Sequence, residues 1–282
     1  MATFFNQATL SYNGNVINSN ITTGELLEVL SATKTAVIDT YSQGSEVTYV
    51  VNIVNTGTTA FTGLSLTDNL GEYDFDGATL VPLDYIDGSV NYFVNGVLQP
   101  APTVTAGPPL VISGINVPAG GVATIIYAAE VNSFAPLALD ATIDNTVTVN
   151  GGGITEITAT ETITAEETAN LTITKSISPT VVAENGELTY TFVIQNTGNT
   201  PVVATDDAIV TDTFNPALSD ITVTFNGTVW TEPANYTYSE ATGEFATVAG
   251  QITVPAATYT QDATGAWVIE PGVSVLEITG TI

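Results

Sequence analysis

Residues 34–57 read KTAVIDTYSQGSEVTYVVNIVNTG, and residues 175–198 read KSISPTVVAENGELTYTFVIQNTG. The two stretches align without a gap at an offset of 175 − 34 = 141 residues. Within each, polar and apolar residues alternate with period two, as in VTYVVNI (47–53) and LTYTFVI (188–194). That spacing belongs to strands buried on one face. ITVTF (221–225) is another such run, and Thr, Val, Ile and Tyr supply most of them. Gly, Asn, Pro and Asp break the runs at short intervals, and Asn95-Gly96 and Asn226-Gly227 fall between alternating segments, where type I′ hairpin turns belong. The chain is therefore expected to be all-β, of the sandwich kind. The one helical hint, GELLEVL at residues 24–30, is short.

Working outward, the repeat resumes after a three-residue insertion, with Leu66-Thr67-Asp68 falling on Val210-Thr211-Asp212. PAGGVATIIYAAEV (118–131) then matches PGVSVLEITGTI (271–282) with small gaps. Two copies of one domain follow each other. The first copy continues into ATIDNTVTV (141–149), a clean alternating strand, whereas the second has no such strand before Ile282. A match for it lies at the other end of the chain, ATFFNQATL (2–10), which sets Ala2 on Ala141, Asn6 on Asn145 and Thr9 on Thr148. Phe4, Ala8 and Leu10 keep the apolar character of Ile143, Val147 and Val149. Asn145 precedes Lys175 by 30 residues and Asn6 precedes Lys34 by 28. The expected organisation is a donor strand at 1–12, a linker at 13–29, a first immunoglobulin-like sandwich at 30–150, a linker at 151–170, and an incomplete second sandwich at 171–282. Strand 2–10 of one molecule is expected to complete the second sandwich of the next by β-strand addition. The alternative is intramolecular, with the strand folding back onto its own second domain or padding the first.

Composition narrows the function. The chain of 282 residues carries 29 acids against two lysines, with no histidine or cysteine, for a net charge of −27. That balance excludes nucleic acid and anionic membranes as partners, since both require Lys and Arg. Zinc sites, Cys/His nucleophiles and disulfide staples are excluded as well, and no cofactor is expected. No apolar run approaches a membrane span, so no membrane insertion is expected. The first residues, MATFFNQATLSYNG, have neither a basic n-region nor a continuous apolar stretch and do not read as a signal peptide. Export either uses another route or follows removal of a leader.

The pattern E-[VL]-T-Y-x-x-x-I-x-N-T-G, followed by T-D, resembles the repeat domain of unknown function (number eleven) of bacterial surface proteins. The resemblance covers most of both copies and implies an immunoglobulin-like sandwich with a structural role outside the cell and no enzymatic activity. The only cations, Lys34 and Lys175, occupy the same repeat position inside first strands. A lysine desolvated there leans towards the neutral, nucleophilic amine. Asp68 follows Lys34 by 34 residues and Asp212 follows Lys175 by 37; Glu46 and Glu187, each 12 residues after its lysine, are the alternative acids. The matching asparagines are Asn145 and, from another molecule, Asn6. This Lys–Asp–Asn layout looks like the intramolecular isopeptide bonds of Gram-positive pilin and adhesin domains. The resemblance implies a buried carboxylic acid that polarises the Asn amide while the amine attacks and ammonia leaves. On that basis Lys34–Asn145 staples the first domain and Lys175–Asn6 welds neighbouring subunits. Ordinary buried ion pairs, Lys34–Asp68 and Lys175–Asp212, are the competing reading.

Other chemistry is weaker. Asp74 and Asp76, and the pair Asp206-Asp207, lack the spacing of a calcium loop and read as turn acids. Trp230 and Trp267, with Tyr236, Tyr238 and Tyr259, read as packing aromatics before a glycan-binding face. The expected function is a filament subunit, pilus-like or a spore or surface appendage, whose partners are identical subunits. The alternative is a monomeric cell-surface adhesin or stalk fragment that binds a host or glycan ligand.

Overall fold

The computed structural model describes residues 2–282. The alternating segments form strands and, among the described residues, the only helical element is one 3-10 turn at Ala204–Asp206. The chain divides into two compact units. One comprises Met1–Asp39, Gly44–Asn132 and Asp144–Ile163, the other Thr40–Gln43, Ser133–Ile143 and Thr164–Ile282. Both are β-sandwiches of immunoglobulin-like kind.

The N-terminal segment contains β1 (Ala2–Asn6), β2 (Thr9–Tyr12), β3 (Asn15–Asn18) and β4 (Thr22–Leu26). The body of the first sandwich runs through β5 (Leu30–Ala36), β6 (Thr40–Tyr41), β7 (Glu46–Asn55), β8 (Phe61–Asp68), β9 (Tyr73–Phe75), β10 (Ala78–Leu80), β11 (Leu83–Tyr85), β12 (Asn91–Val94), β13 (Val97–Leu98), β14 (Thr103–Thr105), β15 (Leu110–Val117), β16 (Val122–Val131), β17 (Thr142–Asn150) and β18 (Ile157–Ala165). One sheet has the order β13-β12-β16-β7-β5 with β11 also on β16, and the other has the order β14-β15-β8-β17-β18-β6. Burial alternates along these strands as the sequence does, most plainly along β7. Val51, Ile53, Leu64, Leu66, Ile112 and Ile125 are fully buried between the sheets.

The second sandwich contains β19 (Leu171–Ser178), β20 (Glu187–Asn196), β21 (Thr211–Thr213), β22 (Ser219–Phe225), β23 (Thr228–Val229), β24 (Tyr236–Ser239), β25 (Glu244–Thr247), β26 (Thr258–Gln261), β27 (Trp267–Glu270) and β28 (Gly272–Thr281). Its sheets have the orders β23-β22-β28-β20-β19 and β24-β25-β21, with β26 and β27 forming a separate hairpin. Leu188, Phe192, Phe214, Val223, Phe245 and Ile278 belong to the core that joins them. Strand for strand, the path β13-β12-β16-β7-β5 of the first sandwich has the same order as the five-stranded sheet of the second. In the other sheet, β24-β25-β21 repeats β14-β15-β8 and stops where the sheet of the first sandwich continues into β17-β18-β6.

Three expectations need correction. Residues 151–170 are not a free linker, because ITATETITA forms β18 beside β17. Residues 13–29 are not a linker either: β3 and β4 fold back along β2 and β1. Residues 2–10 accordingly break at Gln7-Ala8 into two strands of a long hairpin. Among the described residues its pairing is with itself alone, with β1 on β4 and β2 on β3. The helical hint at residues 24–30 is overridden by this pairing, which sets Phe4 opposite Gly24. A Cβ on Gly24 would stand 2.3 Å from the Phe4 ring, so glycine is what lets the ring lie flat across the partner strand. Strand pairing decides the conformation here, not the spacing of three leucines.

The first sandwich depends on close packing between its sheets. Replacing the fully buried Leu66 by Ala is expected to destabilise it by about 2–5 kcal/mol, measured as a lowered midpoint in urea unfolding followed by circular dichroism.

Candidate functional site

Lys34 lies on β5, at the edge of one sheet, with its neighbours Thr33 and Thr35 turned outward. Asp68 ends β8 and Asn145 lies on β17, in the facing sheet. The register sets Val147 opposite Asp68, so Asn145, two residues away, points to the same inter-sheet face. All three side chains are buried. Lys34 Nζ donates to Asp68 Oδ2 at 2.7 Å. The second carboxylate oxygen accepts the Leu70 N–H at 2.7 Å. The Tyr127 hydroxyl also donates to Asp68 Oδ2. Tyr49 and Tyr127 stack at 5.6 Å between centroids, and Lys34 Nζ sits 4.5 Å from the Tyr49 ring centre, within cation–π range.

Two features of this cluster are chemically unusual. First, burial pulls the Lys34 ammonium down to about 8, although Asp68 and, more weakly, Glu161 oppose the shift. Second, neither Oδ1 nor Nδ2 of Asn145 has a hydrogen bond of ordinary geometry, although both are buried, and the Tyr49 hydroxyl is equally unpartnered. The amide is near enough to both tyrosine hydroxyls to temper their acidity shifts, which burial drives upward. A buried primary amide without partners costs on the order of 1–3 kcal/mol. An amide carbon beside a desolvated amine and a carboxyl group is the set of groups that amide exchange requires.

The second unit holds the same groups in an open setting. Lys175 Nζ donates to Asp212 Oδ2, and the two side chains are 38% and 19% exposed. Three rings face the ammonium: Tyr190 at 4.4 Å, Phe192 at 5.4 Å and Phe214 at 5.2 Å. Every residue of β19 is exposed, where β5 is partly buried. Tyr127 pairs with Tyr49 across β16 and β7, but the corresponding partner of Tyr190 is Ile278, so Asp212 has no second tyrosine hydroxyl from that strand. Asn6 lies exposed on β1, paired through its backbone with Thr22. Phe4, Ala8 and Leu10 of the same hairpin are also exposed.

Of the alternative acids, Glu46 and Glu187 are exposed, and both lysines bond to the aspartates instead. Sequence reasoning passed over the tyrosines, although Tyr49 and Tyr190 recur inside the repeated E-x-T-Y motif. Among the described residues no cluster of three or more Asp or Glu is arranged to hold a metal. Trp230 packs on Phe225 at 4.9 Å, Tyr236 is buried in the core of the second unit, and Trp267 Nε1 donates to the Phe134 carbonyl. These aromatics serve packing. Among the described residues no helix is long and apolar enough to cross a membrane.

No family model matches the chain and no curated protein matches it, so the resemblance to the repeat domain of unknown function gains no support there. Solved structures do align. The pilus backbone protein RrgB from Streptococcus pneumoniae aligns over 86% of this chain and 55% of its own, at 15% identity and a TM-score of 0.35. This chain thus spans about half the length of that protein. BcpA, the major pilin subunit of Bacillus cereus, aligns over 97% of this chain and 73% of its own, at 10% identity and a TM-score of 0.39. The collagen adhesin CNA from Staphylococcus aureus aligns over 56% and 55%, at 13% identity and a TM-score of 0.32.

A buried ammonium titrating near 8 binds its proton less well in the folded chain than in the unfolded one. The unfolded state then holds more protons above pH 8, and stability rises with pH until free tyrosines ionise near pH 10. In Asn145→Ala, where no bond to Lys34 can form, stability is expected to rise by about 1 kcal/mol between pH 8 and 9, below the ionisation of unfolded tyrosines. Urea unfolding at the two pH values measures it, and Lys34→Met/Asn145→Ala should lose the rise.

Proposed function

We propose that the protein is the structural subunit of an extracellular filament, assembled by β-strand donation from one copy to the next and locked by Lys–Asn amide bonds. The reading rests above all on one observation. The second unit repeats the strand order of the first but leaves β21 with an open edge, while the hairpin that carries Asn6 pairs only with itself. In the first unit that edge is covered by β17, which bears Asn145. Strand β1–β2 of a neighbouring copy takes the equivalent place on β21 and brings Asn6 to Lys175. The donor and acceptor surfaces differ, so the contact repeats without closing and produces a fibre.

Both sites use the same chemistry. A proton passes from the lysine ammonium to the aspartate along their hydrogen bond, leaving a neutral amine. Its Nζ attacks Cγ of the asparagine, whose carbonyl oxygen is polarised by the carboxylic acid. The Cγ–Nδ2 bond breaks, one amine proton goes to the leaving nitrogen, and ammonia departs. Each bond lowers the mass by about 17 Da, that of ammonia. Lys34 and Asn145 react within one unit, so that bond forms without a partner. Lys175 has to wait for Asn6 of a second copy. Apart from this self-modification the protein has no enzymatic role. A cysteine-free sandwich outside the cell has no disulfides to brace it, and amide staples supply that function.

Boiling the purified protein in detergent and separating it on a denaturing gel tests the reading. A ladder of multiples is expected, collapsing to monomer in Asn6→Ala and in Lys175→Ala but persisting in Lys34→Ala. A wild-type sample that runs only as monomer overturns the inter-subunit bond. Removal of residues 2–12 is expected to abolish filaments in electron micrographs; fibres that persist overturn strand donation altogether.

A further inference from the structure

We infer that the element donated between copies is the whole hairpin β1–β4, and that its return strand β4 docks on residues Val181 and Val182 of the second copy. The inference rests on the donation reading above and adds to it a second strand, a register and a second acceptor edge.

The first unit is completed by two strands rather than one. β18 lies beside β17, and its far edge pairs in parallel with β6, setting Thr164 opposite Thr40 and Ala165 opposite Tyr41. The register between β17 and β18 is fixed by three hydrogen bonds: Thr146 with Thr160 at 2.7 Å, Thr162 to Asp144 at 2.6 Å, and Ala165 N–H to the Ala141 carbonyl at 2.8 Å. It places Asn145 across from Glu161 and Ile143 across from Ile163. In the N-terminal hairpin Asn6 pairs with Thr22, Phe4 with Gly24 and Ala2 with Leu26. One shift maps β1 onto β17 and β4 onto β18, since 145 − 6 = 139 and 161 − 22 = 139. A donor that worked as a single strand would have no reason to keep the register of its return strand.

The same shift predicts what the return strand meets. Thr164 and Ala165 map to Glu25 and Leu26, and at the repeat offset of 141 Thr40 and Tyr41 map to Val181 and Val182. In the first unit, where β18 is present, Thr40–Tyr41 is a strand and Tyr41 is buried. In the second unit, Val181 and Val182 belong to no strand, and Val181 is 86% exposed. The donor is apolar to match: Phe4 is 59% exposed and Leu10 is 64% exposed. Phe4 shares a face with Asn6, as the buried Ile143 shares a face with Asn145. Its ring, flat over Gly24, fills the space that Ile143 and Ile163 fill together in the first unit.

The chain has no cysteine, so paired cysteines report geometry directly. In a Lys175→Ala background, which removes the amide ladder, one full-length variant carries Thr9→Cys with Thr211→Cys, the counterpart of Thr148 opposite Thr67. A second carries Glu25→Cys with Val181→Cys. Under mild oxidation both are expected to give ladders that collapse with reductant. A ladder from the first pair without one from the second overturns the hairpin inference and leaves single-strand donation standing. No ladder from either pair, or disulfides confined within one chain in either variant, overturns both the inference and the donation between copies.

Discussion

An open sheet edge over a sandwich core is the constraint on which the rest of this structure turns. The edge strand presents unpaired N–H and C=O groups, and the apolar faces beside it lie against water. The first unit meets the constraint with β17 and β18, and there Lys34 and Asp68 are sealed from solvent. The second unit has the same five-stranded sheet and the same lysine–aspartate pair, but β21 stands at an edge, all of β19 is exposed and Lys175 is partly wet. One pair of strands thus decides whether the chemistry is buried. Where β17 is present, an asparagine amide sits among the reactive groups. Where no strand covers the edge, the groups are poised but the electrophile is missing.

Burial supplies the reactivity as well as the cover. Water solvates an exposed ammonium and keeps it protonated, whereas a closed core makes the charge costly and frees the amine. The reactive state of Lys34 is therefore a product of complete packing. In the proposed fibre the same logic reaches the second unit only when a donated strand closes over it, which would make docking and activation one event. The Tyr127 hydroxyl on Asp68 has no counterpart at Ile278, so the carboxyl of the second unit is held by fewer donors until docking occurs.

Much of this was readable in one dimension because a period of two and an offset of 141 are both linear signals. The first identified strands and their buried faces; the second set Lys34 on Lys175 and Asp68 on Asp212. Asn145 followed from its place in the last strand and its match to Asn6, and alternation sets it on the same face as Ile143 and Val147. What escaped had a partner dependence that no local pattern carries. β4 looked helical because Leu26, Leu27 and Leu30 have helical spacing, and only the Phe4–Gly24 pairing reveals a strand. β18 was taken for linker because β17 already seemed to finish the sheet. The choice between Asp68 and Glu46 also needed three dimensions, as both lie near the lysine in sequence but Glu46 is exposed. The tyrosine hydroxyls became visible as chemistry only when burial placed them beside the carboxylate.

Charge shapes how such a subunit could assemble. Copies with a net charge of −27 repel one another, and salt screens that repulsion over about 10 Å at 0.1 M ionic strength. Within residues 2–26 the only acid is Glu25, and there is no base. The element proposed to approach a second copy most closely is thus almost uncharged, and the repulsion is carried by the rest of the chain. Apolar burial along Phe4 and Leu10 favours the approach at short range, where Coulomb repulsion from distant carboxylates is already weak. Repulsion that resists random association also works to pull subunits of a fibre apart. The proposed amide between Lys175 and Asn6 would remove that consequence, because a joined pair no longer has to outweigh the charge at every encounter.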